Sequence, residues 1–189
     1  MDSAILFLLL FILILLVIIV LIYNSLISKK NQVKNAFSTI DVYLKQRYDL
    51  IPNIVEAVKE YMKHERHLLE KITQIRTTLT SGQVNEKERF KLEGEITNIL
   101  GRIFAIAENY PVLKASENFL HLQKTLNDVE EKIAAARRFY NTSVTELNNA
   151  IEMFPSNIIA KLMKLKKTEW FEIPEPNREN VYLSELFKK

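Results

Sequence analysis

The residues of this chain that come closest to a chemical site are two histidines. His64 and His67 stand three apart, with Glu60 one turn earlier. On a helix the three side chains share a face, and two imidazoles with a carboxylate are a donor set for zinc and related ions. A zinc-hydrolase pair needs its second histidine four residues on, where Leu68 stands, and no third strong ligand lies close by. With no cysteine in the chain, thiolate metal sites, disulfides and thiol nucleophiles are excluded. The three glycines form none of the spacings that cradle phosphate or carry a nucleophile elbow. Adjacent carboxylates such as Glu130 and Glu131 sit in charged helix surface and read as solvated rather than as an acid–base pair. The expectation is a protein without catalytic residues, metal, cofactor or small-molecule substrate.

Two other groups of side chains carry more weight. Arg47, Asp49, Asn53, Glu117, Asn118, Arg137 and Asn141 lie beside apolar positions near helix ends or seams. Buried polar groups satisfy one another, and a polar residue in a seam sets helix register. These seven are therefore candidates for an inter-helix hydrogen-bond network, as against ordinary exposed side chains. Near the C-terminus, Ser156 is placed to cap a short helix with Ile158, Ile159, Leu162 and Met163 on one face. Lys161, Lys164, Lys166 and Lys167 flank it, and Trp170 and Phe171 follow. A basic amphipathic helix with adjacent aromatics is a membrane-surface signature. The competing reading is a lid packed on the rest of the chain.

The elements that would position these residues are legible in the hydropathy pattern. The 189 residues are 48% apolar, but the average is uneven. Ala4 to Ile22 contains no polar side chain and, at about 19 residues, is long enough to cross a bilayer. The rest of the chain is about 42% apolar, an ordinary soluble composition. Met1, Asp2 and Ser3 are not a basic n-region, and Tyr23 to Ile27 offers no small-residue cleavage site, so the run reads as a retained anchor rather than a signal peptide. Lys29, Lys30 and Lys34 follow the span and only Asp2 precedes it, which predicts an outside N-terminus and a cytoplasmic C-terminal domain. A net charge of +3 argues against a dedicated nucleic-acid binder.

Beyond Lys30 the spacing is that of helices. Val33, Phe37, Ile40, Leu44, Tyr48 and Ile51 form a three-four stripe that Val55, Val58 and Met62 continue and Leu68, Leu69, Ile72, Ile75 and Leu79 extend. Pro52 interrupts it. With Asp49 as a potential cap, the site is either a helix restart or a kink. Ser81, Gly82 and Gln83 form a loop, and Asn85 with Glu88 resembles a capping box. The next helix has Leu92, Ile96, Ile99, Ile103 and Ile106 on one face and Phe90, Gly94, Thr97, Gly101 and Phe104 on the other. Two glycines on that second face predict a close helix approach, within the chain or between protomers. After Pro111 a last long helix, about Lys114 to Met153, keeps its stripe from Phe119 to Phe154. A turn at Asp49–Pro52 would bring the end of this helix back to the bilayer, whereas a mere kink would point it away.

The fold expected is all-α, an N-terminal transmembrane helix followed by an antiparallel up-and-down four-helix bundle. The predicted boundaries are 1–28 for the anchor, 29–155 for the bundle, 156–168 for the basic helix and 169–189 for the tail. The tail contains Pro174 and Pro176 among charged residues, a composition of exposed, flexible chain.

Several segments resemble the LemA family: Val33 to Asp41, Leu44 to Asn53, Tyr110 to Phe119, Glu131 to Asn141, and Phe154 to Ala160. They cover, in order, essentially everything after the anchor. Phe37 stands where a Trp is common, and Glu131 where an Asn is common. The resemblance implies a bacterial-type inner-membrane protein with an N-terminal anchor and a four-helix domain. It implies no enzymatic activity and no catalytic residues. The function expected is a membrane-anchored scaffold or adaptor whose partners are the membrane and either another protein or copies of itself. The alternative is a membrane-organising or membrane-sensing oligomer that uses both the anchor and the basic helix.

Overall fold

A computed structural model describes residues 2–82 and 84–171. The proposed tail beyond Phe171 lies outside the described residues. The elements are α1 (Asp2–Val58), a 3-10 turn (Lys63–Glu65), α2 (Arg66–Thr80), α3 (Glu86–Ala107), α4 (Pro111–Lys114), α5 (Glu117–Glu152) and α6 (Ser156–Leu162). No strand occurs among the described residues.

The chain divides into two compact units, one of Met1–Lys45 with Val129–Phe171, the other built on Gln46–Asp128. In the first, α1 and α5 run antiparallel: Lys29 meets Glu146, and further along α1 Phe37 meets Tyr140. Leu26, Val33, Ala36, Ile40 and Leu44 of α1 are buried with Val129, Ile133, Ala136, Tyr140, Val144 and Leu147 of α5. The three-four spacing holds throughout, so each helix presents a single stripe. Residues 4–21 are exposed on every side, as a helix immersed in lipid must be.

In the second unit the end of α1 packs with α2, α3 and the start of α5. Arg47 meets Thr97 and, further on, Tyr61 meets Tyr110, so α3 runs parallel to α1. Phe104 of α3 meets Phe119 of α5. The core is Ile51, Ile54, Val58, Met62, Leu69, Ile72, Ile96, Ile99, Leu100, Ile103, Leu113, Phe119, Leu122 and Leu126. Asn85 caps α3, its Oδ1 accepting from the Glu88 N–H at 2.9 Å, as the sequence suggests. Gly82 follows the end of α2 with φ +70°, the left-handed turn that glycine adopts without steric cost.

The structure bears on three sequence readings. At Pro52 the sequence leaves a restart or a kink open, and the structure has no restart. α1 continues through Pro52, and the chain turns at residues 59–65, a polar stretch in which Met62 alone is fully buried. A proline lacks the N–H that would bond the carbonyl four residues back. Here that carbonyl, Tyr48 O, accepts from Arg76 Nε of α2 at 2.8 Å. The second is the link between a Pro52 turn and the direction of the C-terminus. α5 runs back along α1 in the first unit although α1 does not turn at Pro52, because the turn falls a helical turn or two later. The third concerns the glycines of α3, whose close approach is not made within the described chain. A Cβ at Gly94 or Gly101 would meet nothing within 4 Å, and Gly101 and Thr97 are exposed. α3 is therefore buried on one side within the described chain.

Candidate functional site

The most elaborate polar construction in the first unit holds the chain after α6. The helix ends in a Schellman motif, with Leu165 N–H donating to Ala160 O and Lys164 N–H to Lys161 O, both at 3.0 Å. Lys164 takes φ 52°, at the position where glycine is usual. The motif reverses the chain into a strap along α5. Asn148 donates from Nδ2 to Thr168 O at 2.9 Å and accepts the Thr168 N–H at 3.0 Å. One heptad earlier, Asn141 donates to Phe171 O at 3.1 Å and accepts the Phe171 N–H at 2.7 Å. Each amide thus serves one strap residue as a β-strand neighbour would, satisfying both its N–H and its C=O. Between them Tyr140 donates to Glu169 O at 3.2 Å and Trp170 Nε1 to Thr145 Oγ1 at 3.0 Å. Phe171 is buried, with the Arg137 guanidinium 4.6 Å from its ring centre and Tyr140 meeting it edge-on.

Among the described residues, nothing covers the corner between α5 and α6. Phe154 is 80% exposed and Leu162 75%, and Met153 and Ile158 are exposed beside them. Ala160 is the buried residue of α6. Lys161, Lys164, Lys166 and Lys167 are exposed around this apolar surface, with Lys167 paired to Glu152.

The second unit holds a buried charge pair. Arg47 and Glu93, both almost wholly buried, form an ion pair. Tyr48 donates its hydroxyl to Glu93, Arg47 Nη1 donates to Thr97 Oγ1 at 3.1 Å, and Thr97 Oγ1 donates to Glu93 O at 3.2 Å. The two charges neutralise each other and are held by Tyr48 and Thr97, which is the construction of a structural pair rather than a reactive one. An open groove of about 520 Å³ between the end of α1 and α2 is lined by Val55, Lys59, Arg66, Leu69, Glu70 and Thr73. The Lys59 ammonium there is held above its ordinary pKa, chiefly by its hydrogen bond to Glu56. The groove gathers no set of groups suited to bond-breaking chemistry. His64 and His67 are exposed, and among the described residues no three histidines or carboxylates cluster to hold a metal ion.

The structure does not gather the seven polar candidates into one network. Asp49, Asn53, Glu117 and Asn118 are exposed, because helical spacing turns them off the buried stripe. Arg47 is buried, but its partners are Glu93 and Thr97. Arg137 and Asn141 do come together, on Phe171. Of the basic-helix candidates, Ile159 and Met163 are half-buried, while Ile158, Leu162, the four lysines and Trp170 are exposed. Sequence reasoning missed Glu93, Asn148 and Arg76. Glu93 and Asn148 carry a legible signal, since each falls on an apolar stripe (Glu93, Ile96, Leu100, Ile103; Val144, Asn148, Ile151). Arg76 carries none, because its role depends on the packing of α2 against α1.

Comparison with known proteins gives the chain its relatives. A sequence model of the LemA family matches residues 36–184. Protein LemA of Metamycoplasma hominis is 31% identical over 163 residues, 86% of this chain and 74% of its own length. Magnetosome protein MamQ of Magnetospirillum gryphiswaldense is 29% identical over 97 residues, 51% of this chain and 36% of that protein. Magnetosome protein MamQ 2 of Paramagnetospirillum magneticum is 21% identical over 192 residues, 88% of this chain and 71% of that protein. The family match begins on the buried stripe of α1 at Ala36 and takes in all the helices that follow: the chain belongs to the LemA family.

Proposed function

We propose that this chain is a non-enzymatic scaffold, held in the cell's inner membrane by the start of α1 and presenting its helical domain to the cytoplasm. The observation that carries the reading is the continuity of α1. The same unbroken helix supplies an all-apolar, all-exposed segment and then a buried core stripe. Such a helix belongs half to lipid and half to a folded domain. Lys29, Lys30 and Lys34 follow the span and favour the cytoplasmic side for the domain. The names of the relatives denote no reaction, and the polar groups of the interior are spent on structure. The partner is a protein or further copies of this chain, meeting the uncovered face of α3 that contains Thr97 and Gly101.

The reading is tested on the intact protein. Cysteine is absent, so Ser3→Cys and Asn127→Cys give unique labels. An impermeant maleimide labels Ser3→Cys in intact cells and Asn127→Cys only after permeabilisation; the reverse pattern rejects the orientation. Purification in mild detergent then yields a stoichiometric protein partner or a defined homo-oligomer, lost when Gly101 is replaced by Trp. A monomer without a partner rejects the scaffold. The exposed corner at Phe154 and Leu162 favours a second reading, membrane organisation, for which assembly depends on added lipid.

A further inference from the structure

Apolar surface as exposed as that at the α5–α6 corner is normally buried in a folded chain. Phe154, Ile158, Leu162 and Met153 make it contiguous, and lysines rim it. Its height along the molecule is set within the first unit. Lys29 Nζ lies 3.0 Å from Glu146, which fixes the register of α5 on α1. The end of α5 at Glu152 is between one and two turns further, about 9 Å. In an antiparallel pair that displacement reaches the level of Tyr23, where the apolar run of α1 ends. The uncovered corner therefore stands at the boundary of the span.

The geometry points to a second membrane contact: the α5–α6 corner sits on an anionic phospholipid surface. Phe154, Ile158 and Leu162 enter the region between headgroups and acyl chains, and Lys161, Lys164 and Lys166 meet the lipid phosphates. Three observations select lipid as the occupant. The patch is level with the end of the lipid-exposed segment of α1. It is apolar at its centre and cationic at its rim, the profile of an interfacial helix. The side that α6 buries carries the small Ala160, with Ile159 and Met163 half-buried beside it, while the large Ile158 and Leu162 are left exposed. The contact rests on the reading of α1 as a membrane span. It makes the domain a two-point attachment, by span and by corner, and so restricts its tilt at the surface.

The test uses the full chain in vesicles, with an environment-sensitive fluorophore on single cysteines at four positions: Phe154→Cys, Leu162→Cys, Leu13→Cys in the span and Asn127→Cys in the second unit. Vesicles are phosphatidylcholine alone or mixed with phosphatidylglycerol, and contain nitroxide lipids as quenchers. At positions 154 and 162, shallow nitroxides quench strongly in anionic vesicles, while position 127 stays unquenched. Changing Lys161, Lys164 and Lys166 to Glu lowers the bound fraction, each lysine at an anionic surface being equivalent to about a fivefold change in partitioning. Quenching at 13 with none at 154 and 162 overturns the corner contact and leaves the anchor standing. No quenching at 13 overturns the anchor, and the corner with it. Quenching at 154 and 162 that ignores both phosphatidylglycerol and the three Glu changes overturns the role of the lysines.

Discussion

A proline inside a long helix leaves one carbonyl without its donor, and here the remedy is a single side chain from the next helix. Arg76 Nε reaches Tyr48 O, the acceptor that Pro52 leaves unpaired. Removing the arginine strands a half-buried carbonyl, so Arg76→Ala is expected to destabilise by about 1–3 kcal/mol. Pro52→Ala restores the N–H and is expected to raise the melting temperature. In that background Arg76→Ala costs at least about 1 kcal/mol less, and equal costs in the two backgrounds exclude the compensation. Arg47 and Glu93 obey a different rule. Glu93→Ala leaves a guanidinium buried without its counter-charge, and about 3–5 kcal/mol of stability is lost; the pair Arg47→Met with Glu93→Leu stays within about 1 kcal/mol of the parent. Chemical denaturation of the three proteins decides it. A double variant as unstable as the single one shows that the ion pair itself is required.

At the scale of elements, the strap is the part of the fold least visible in sequence. Residues 163–171 have no helical period, yet the backbone of Thr168 and of Phe171 is satisfied by two asparagines a heptad apart on α5. Asn141→Leu and Asn148→Leu keep volume but remove the amide, and each leaves one N–H and one C=O of the strap unpaired. Each is expected to cost about 1–3 kcal/mol and to speed amide hydrogen exchange at Phe171 or Thr168 respectively; unchanged exchange rules out the clamp. Lys164 marks where α6 gives way to the strap. A non-glycine residue in the left-handed region is strained by about 1 kcal/mol, so Lys164→Gly is expected to leave the melting temperature unchanged or raise it, while Lys164→Val lowers it. The helices themselves were legible: the stripes of α1 and α5 are buried nearly residue for residue. Phe154 is the exception, exposed because α5 ends at Glu152 and the period no longer governs where the next side chain points.

For the molecule as a whole, the decisive feature is that one helix passes from an environment apolar on all sides to one apolar on a single stripe. Arginine near the middle of a span costs about 2.5–3.5 kcal/mol. Leu13→Arg with Leu16→Arg is therefore expected to move the protein from the membrane fraction to the soluble or aggregated fraction. Retention of the doubly substituted protein in carbonate-washed membranes contradicts the anchor. The same change at exposed domain positions, such as Asn127→Arg, leaves the distribution unaltered.

The sequence by itself determined the class of structure: an apolar segment of membrane length, long helices with continuous stripes, and a family resemblance spread over the whole domain. These are local properties, set by hydropathy and by the helical period, and each can be read without knowing what packs against what. Only the tertiary structure decided where the chain turns and which polar residues are paired. It also decided which apolar residues remain outside. Pro52 lies within α1 because Arg76 of another helix answers its missing donor. Four of the seven polar candidates are exposed because the stripe passes them by, while Glu93 and Asn148 are buried because it does not. Among the described residues the corner at Phe154 and Leu162 stays uncovered, because the strap up to Phe171 is bound along α5 through Asn141 and Asn148. Each depends on a partner far away in the sequence, and no local pattern records such a partner.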